Sequence, residues 1–145
     1  MKYYKFLSNT VDISGTEEEE LFEIKDRGKY VKVSVFRMKN NKANRKIYER
    51  VFDEKDTRFI NLAGLGGNDH FRVDENTSSG IIIKIAGGEG KDVYDIKSKL
   101  KARIYDSLSD NNKVINDFRV KNSFLLKLTI YKWLRHNVPQ KILLD

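Results

Sequence analysis

Two short stretches carry the residues best suited to chemistry: GLGGND at 64–69 and GGEGKD at 87–92. Each opens on a glycine and closes on an aspartate, Asp69 or Asp92. Four uses of such a stretch differ in what they demand. A calcium ion takes six to eight oxygens at about 2.3–2.6 Å, and glycine lets backbone carbonyls turn inward unobstructed. Asp69 and Asp92 are then the side-chain ligands, and the carbonyls of Gly64, Gly66, Gly87 and Glu89 the backbone ligands. A phosphate loop needs a following Lys-Ser/Thr pair and a helix. Lys91 has no hydroxyl neighbour, and GLGGND runs into HFRVDE, which alternates like a strand. A carboxylate pair could serve glycoside hydrolysis. Last, the glycines could only supply positive φ at a corner, with the aspartate capping the turn. That reading asks least of the sequence and ranks ahead of calcium. His70 sits beside Asp69, but its equivalents in the related segments are Val93 and Leu21, which favours a half-buried side chain over a catalytic one.

Those segments are internal relatives. RFINLAGLGGNDHFRV (58–73) aligns without a gap on IIIKIAGGEGKDVYDI (81–96), so that Gly64 meets Gly87, Asp69 meets Asp92 and Phe71 meets Tyr94. A third copy lies upstream in VDISGTEEEELFEI (11–24), where Gly15, Glu20 and Phe22 take the same places. KARIYDS (101–107) begins a fourth copy and loses the glycines. The unit is a short strand, a tight turn and a second short strand, with period-2 apolar alternation. Repeats of this length imply stacked coils, each burying its neighbour. The expected core is Val11, Ile13, Phe22, Ile24, Ile60, Leu62, Phe71, Val73, Ile83, Ile85, Tyr94, Ile96 and Ile104.

Between the first and second copies an antiparallel hairpin is expected over 29–53. YVKVSVFRM (30–38) and KIYERVF (46–52) alternate, and KNNKANR between them reads as the turn. In the tail, FLLKLTIYKWLRHN (124–137) suits a strand or a short helix, with strand slightly favoured by its β-branched and aromatic content. The fold expected is all-β: stacked strand-turn-strand coils, β-helix- or β-roll-like or sandwich-like, forming one module over 1–121, with a tail element over 122–145.

Composition narrows the function. There is no cysteine among 145 residues, which excludes disulfides, zinc-thiolate sites and thiol nucleophiles. No apolar run reaches the roughly 18 residues of a membrane helix, and the N-terminus lacks a signal-peptide core. An exported protein would therefore be represented here by a fragment or a mature form. The net charge is +7, with a basic cluster at Lys39, Lys42, Arg45 and Lys46. A nucleic-acid binder normally shows a basic stripe with interleaved aromatics. Here the run Glu17 to Glu20 and scattered aspartates interrupt the charge, which favours a solvated surface.

GGEGKDVYD (87–95) fits the pattern G-G-x-G-x-D-x-U-x at every defined position and resembles the calcium-binding nonapeptide of RTX-type β-roll proteins. GLGGNDHFR (64–72) departs once, with Leu65 where the second glycine belongs, and the period here is 23 residues rather than nine. The order of pieces over residues 10–107 also resembles a segment of bacterial surface proteins. In them a calcineurin-like metallophosphoesterase domain precedes this segment, and an outer-membrane β-barrel of the surface-antigen type follows. The resemblance implies a non-catalytic structural or binding module of the cell envelope, in the periplasm, outer membrane or at the surface, with those two domains as neighbours. It would meet a membrane only through the barrel. A cytoplasmic location is also compatible with the composition. The reading from a different class is a carbohydrate-binding or carboxylate-based enzyme module on the face near Asp69, His70 and Asp92.

Overall fold

The computed structural model describes residues 9–74, 79–97, 102–105, 113–115 and 121–122. Every regular element among these residues is a β-strand, and the strands form two sheets. The first sheet contains β1 (Thr10–Ser14), β5 (Phe59–Ala63), β7 (Ile82–Ala86), β9 (Ala102–Tyr105) and β11 (Lys121–Asn122), in that order and parallel throughout. The second runs β10 (Lys113–Ile115), β8 (Val93–Ile96), β6 (His70–Val73), β2 (Glu20–Asp26), β3 (Tyr30–Lys39) and β4 (Lys42–Asp53). Its first four strands are parallel, and β3 and β4 join as an antiparallel hairpin. The chain alternates between sheets, β1 to β2, β5 to β6 and β7 to β8. The strands so connected, β1, β5 and β7 in the first sheet and β2, β6 and β8 in the second, are therefore parallel, with no helical crossover among the described residues.

Residues equated by the sequence alignment are Cα partners in these ladders. Ile13 lies beside Leu62, Leu62 beside Ile85 and Ile85 beside Ile104 in the first sheet. Phe22 lies beside Phe71 and Phe71 beside Tyr94 in the second. The three rings stack, with centroids 4.7 Å and 5.3 Å apart and planes within 18° and 8° of parallel. Such pairs contribute roughly 0.5–1.5 kcal/mol beyond their burial. The inward residues of both sheets form one apolar cluster. Of the thirteen core positions expected from sequence, twelve are buried, and Val11 is partly buried against them. Each fully buried Ile, Leu or Phe contributes about 1.5–3 kcal/mol.

The inserted hairpin continues the second sheet, and its Val31, Val33, Val35 and Phe52 join the same core. Its turn is shorter than expected. Strand β4 begins at Lys42, so the turn read over 39–45 contracts to Asn40 and Asn41, at φ 53° and 60°. Positive φ at both central residues is the two-residue turn whose twist matches an antiparallel pair, and asparagine tolerates it. Register shifts between Val35 and Phe36 and between Arg37 and Met38 absorb the extra residues of β4 as bulges. These bulges break the alternation, which is why the segment reads as turn. The tail element expected over 124–137 lies outside the described residues.

Candidate functional site

The glycine turns meet one above another at one end of the sheets. The Gly15 N–H donates to Ala63 O at 2.7 Å, and the Gly64 N–H to Ala86 O at 2.8 Å. Further along, the Gly66 N–H reaches Thr16 O at 3.3 Å, and the Glu89 N–H reaches Leu65 O at 2.9 Å. The Lys91 N–H donates to the Asn68 side-chain oxygen at 2.8 Å. Turn backbone therefore packs directly on turn backbone. A Cβ on Gly88 would lie 2.3 Å from Leu65 O, and one on Gly90 would lie 2.0 Å from Gly67 O. No side chain fits that approach.

Gly15 and Gly64 answer a different need. A Cβ at Gly64 would sit 2.1 Å from Asp69 Oδ2 and 2.5 Å from Gly87 O. A Cβ at Gly15 would sit 2.4 Å from Glu20 Oε2. The acidic side chain of each turn folds back over the glycine that opens it. That contact accounts for the shared spacing of Gly15 with Glu20 and Gly64 with Asp69, which Gly87 and Asp92 repeat in sequence.

The carboxylates then act between neighbouring segments. Asp92 Oδ1 accepts the Asp69 N–H at 2.8 Å, and Asp69 Oδ1 accepts the Glu20 N–H at 2.9 Å. Glu20, in the first segment, turns its carboxylate onto its own turn and accepts the Thr16 N–H at 3.1 Å and the Thr16 hydroxyl. Two of these acceptors satisfy buried backbone donors, at Asp69 and Glu20 where the strand resumes, and the third a part-buried donor at Thr16 within its turn. Asp69 and Asp92 are 0% and 1% exposed. Burial pushes the Asp69 carboxyl up to about 9; the Glu20 N–H opposes the shift, and the charges of Asp92 and Glu20 add to it. Burial also raises Glu20, against the pull of its Thr16 hydrogen bonds and Arg37. Asp69 Oδ2 is buried and accepts no hydrogen bond.

The residues singled out from sequence divide accordingly. Gly64, Gly66, Gly87, Asp69, Asp92 and Glu20 are buried in the stacked turns, and Glu89 is exposed on its turn. The oxygens expected to hold calcium are partly engaged: both Oδ1 atoms accept backbone N–H groups, and Gly64 O accepts the Gly66 N–H at 3.2 Å. Among the described residues, no group of three or more His, Cys, Asp or Glu side chains is placed to hold a metal ion. His70 is not part of the ladder. It lies with Leu21, Arg72, Val93, Asp95 and Lys113 along a groove, and burial followed by the Arg72 charge lowers its pKa. Asp69 and Asp92 are closed off from solvent, so they do not combine with His70 into one accessible face.

Sequence reasoning missed Asp26. It is buried, and its carboxylate accepts the Gly28 N–H at 2.8 Å and the Ser79 N–H at 3.0 Å, tying the start of the hairpin to the segment before β7. The aspartate two residues before a glycine was the available signal, since that spacing favours a side-chain-to-backbone turn. No family model, curated protein or solved structure matches this chain.

Proposed function

We propose that this chain is a non-catalytic structural or binding module of an exported bacterial envelope protein, its strands wound as β-helix- or β-roll-like coils. The observation that carries the structural reading is the ladder Glu20–Asp69–Asp92. Carboxylates that bond the backbone of the adjacent segment and fill the space over a glycine are committed to holding segments together. A catalytic pair would need at least one carboxyl within reach of a substrate. The envelope setting rests on the order of pieces over residues 10–107, and an adjoining phosphoesterase and β-barrel are the neighbours it implies. Reading the flanking coding sequence tests that setting: a phosphoesterase before and a barrel after support it, and unrelated domains on both sides overturn it.

A second reading adds calcium to the ladder, and the orphaned Asp69 Oδ2 favours it. Asp69 and Asp92, with the carbonyls of Gly64, Gly66, Gly87 and Glu89, are the residues that would hold the ion, which would neutralise the buried charge. A proton on Asp69 meets the same need without a metal. Thermal melting at neutral pH, in calcium and in chelator, separates the two. An occupied site at 100 times its dissociation constant adds about 2.7 kcal/mol, whereas a protonated ladder shows no calcium shift.

A further inference from the structure

The hairpin carries a charge arrangement that works against its own stability. Arg37 and Arg45 are directly opposed across β3 and β4, and Lys39 is directly opposed to Lys42. Like charges in facing positions of an antiparallel pair are destabilising. Among the described residues, none of these four forms an ion pair, and Arg37 Nε is buried without a hydrogen-bond partner. On β4, Glu49 already takes Lys46 at 2.9 Å, Lys32 at 3.5 Å and the Ser34 hydroxyl at 3.1 Å. The glutamates of the adjoining turn are also engaged: Glu20, which faces Arg37 across β2 and β3 and feels its charge without forming an ion pair, holds Thr16, and Glu19 accepts from Asn68 at 3.5 Å.

Strand β4 ends the second sheet, so its outer edge has no strand partner among the described residues. Lys42, Arg45, Lys46 and Arg50 are exposed along it. With the two bulges absorbing residues, Lys42 to Arg50 runs beside residues 39 to 33 of β3, so at about 3.4 Å per residue these bases form a line about 20 Å long, Lys42, Arg45 and Arg50 on the face of Lys39 and Arg37 and Lys46 on the other. We infer that this line, with Arg37 and Lys39 beside it, is a binding edge for a linear acidic polysaccharide.

Three observations favour that occupant. The positive charge runs along one strand, which suits a single extended polyanion better than a planar membrane. The tip, Asn40–Asn41, is polar and offers no apolar anchor to lipid. Two of the nearby aromatic rings lie under cations, Lys46 over Phe36 at 5.7 Å and Arg50 over Phe52 at 5.1 Å, which leaves those rings little room to stack bases. A duplex would also be broad enough to meet the glutamate turn at 17–20 beside β3.

Calorimetric titration of the whole chain with polygalacturonate tests the inference. Neutral dextran, single-stranded DNA, duplex DNA and phosphatidylglycerol vesicles form the comparison arms. Binding to the polyuronate should weaken steeply with salt. It should fall at least about tenfold in the Lys42→Glu/Arg45→Glu variant and persist in Arg45→Lys. The double variant removes like-charge pairs, so its melting temperature should hold or rise. Failure to bind polygalacturonate overturns the inference, as does equal affinity for dextran or affinity undiminished in the double variant. Equal or tighter binding to either DNA or to the vesicles reassigns the edge to that partner and overturns the polysaccharide.

Discussion

The main-chain N–H of Asp69 donates to the Oδ1 of Asp92 at 2.8 Å, across 23 residues of chain. Asp69 repeats the arrangement towards Glu20, 49 residues earlier. One carboxylate thus does two jobs, satisfying a donor in the neighbouring segment and occupying the space over its own glycine.

The glycine contact predicts a sharp contrast between two alanine substitutions. Gly64→Ala places a methyl against Asp69 Oδ2 and Gly87 O, and the second is backbone that cannot swing away. Overpacking of this kind costs about 1–3 kcal/mol, with loss of the carboxylate's hydrogen bond adding to it. At Gly80 the nearest atom to an added Cβ is the flexible Glu54 Oε2 at 3.7 Å, so Gly80→Ala should stay within about 0.5 kcal/mol of the parent. Urea denaturation midpoints of the two variants measure the difference.

Asp69 predicts a fall in stability as pH rises from its unfolded towards its folded titration. Its carboxyl titrates near 3.8 when unfolded and about 9 when folded, chiefly because of burial. Between those values the folded state binds the extra proton. This contribution is therefore complete below the unfolded value and is lost as pH rises through the folded one, with a slope of up to about 1.4 kcal/mol per pH unit. Asp69→Asn keeps an acceptor for the Glu20 N–H and cannot ionise, so its stability should be flatter between pH 6 and 10, values chosen to bracket neutrality and the folded titration. Asp69→Ala leaves that N–H unsatisfied and should cost about 1–3 kcal/mol at neutral pH. Denaturation curves across pH for the three proteins check the order.

Leu65 keeps a glycine's backbone without being glycine. Its φ is +73°, and Gly88, 23 residues later, has φ +90°. A left-handed non-glycine residue carries roughly 1–2 kcal/mol of strain, partly offset here by the half-buried leucine side chain. Leu65→Gly should be neutral or stabilising by up to about 1 kcal/mol. Leu62→Ala, three residues earlier in the core, should cost about 2–5 kcal/mol. Melting temperatures compare them directly.

Phe71 is the middle ring of the Phe22–Phe71–Tyr94 stack. Truncation to alanine should cost about 3–5 kcal/mol, and Phe71→Leu distinctly less. In a double-mutant cycle, Phe71 and Phe22 should couple by about 0.5–1.5 kcal/mol. Zero coupling would show that the rings contribute only their separate burial.

Much of the fold was legible in local pattern. Alternation picked out the strands of the three copies and most of the hairpin, and the recurring glycine, acid and aromatic put Gly15, Gly64 and Gly87, and Phe22, Phe71 and Tyr94, into correspondence. The hairpin's short turn was not legible, because two bulges in β4 disturb the period on which such reading depends. Asp26 was missed because one of its two partners, Ser79, is 53 residues away.

The sequence by itself determined the strands of the three copies, the correspondence among them and the twelve buried core positions, since side-chain alternation and glycine spacing are properties of the chain taken a few residues at a time. Only the tertiary structure decided where the carboxylates point. An aspartate at the end of a glycine turn can face solvent, a cation or the neighbouring backbone. Which of these it faces depends on donors 23 and 49 residues away, and so does the burial that raises the Asp69 carboxyl to about 9. The tertiary structure also aligned Arg37 with Arg45 and Lys39 with Lys42, because cross-strand register follows from the turn at Asn40–Asn41 and the bulges beside it.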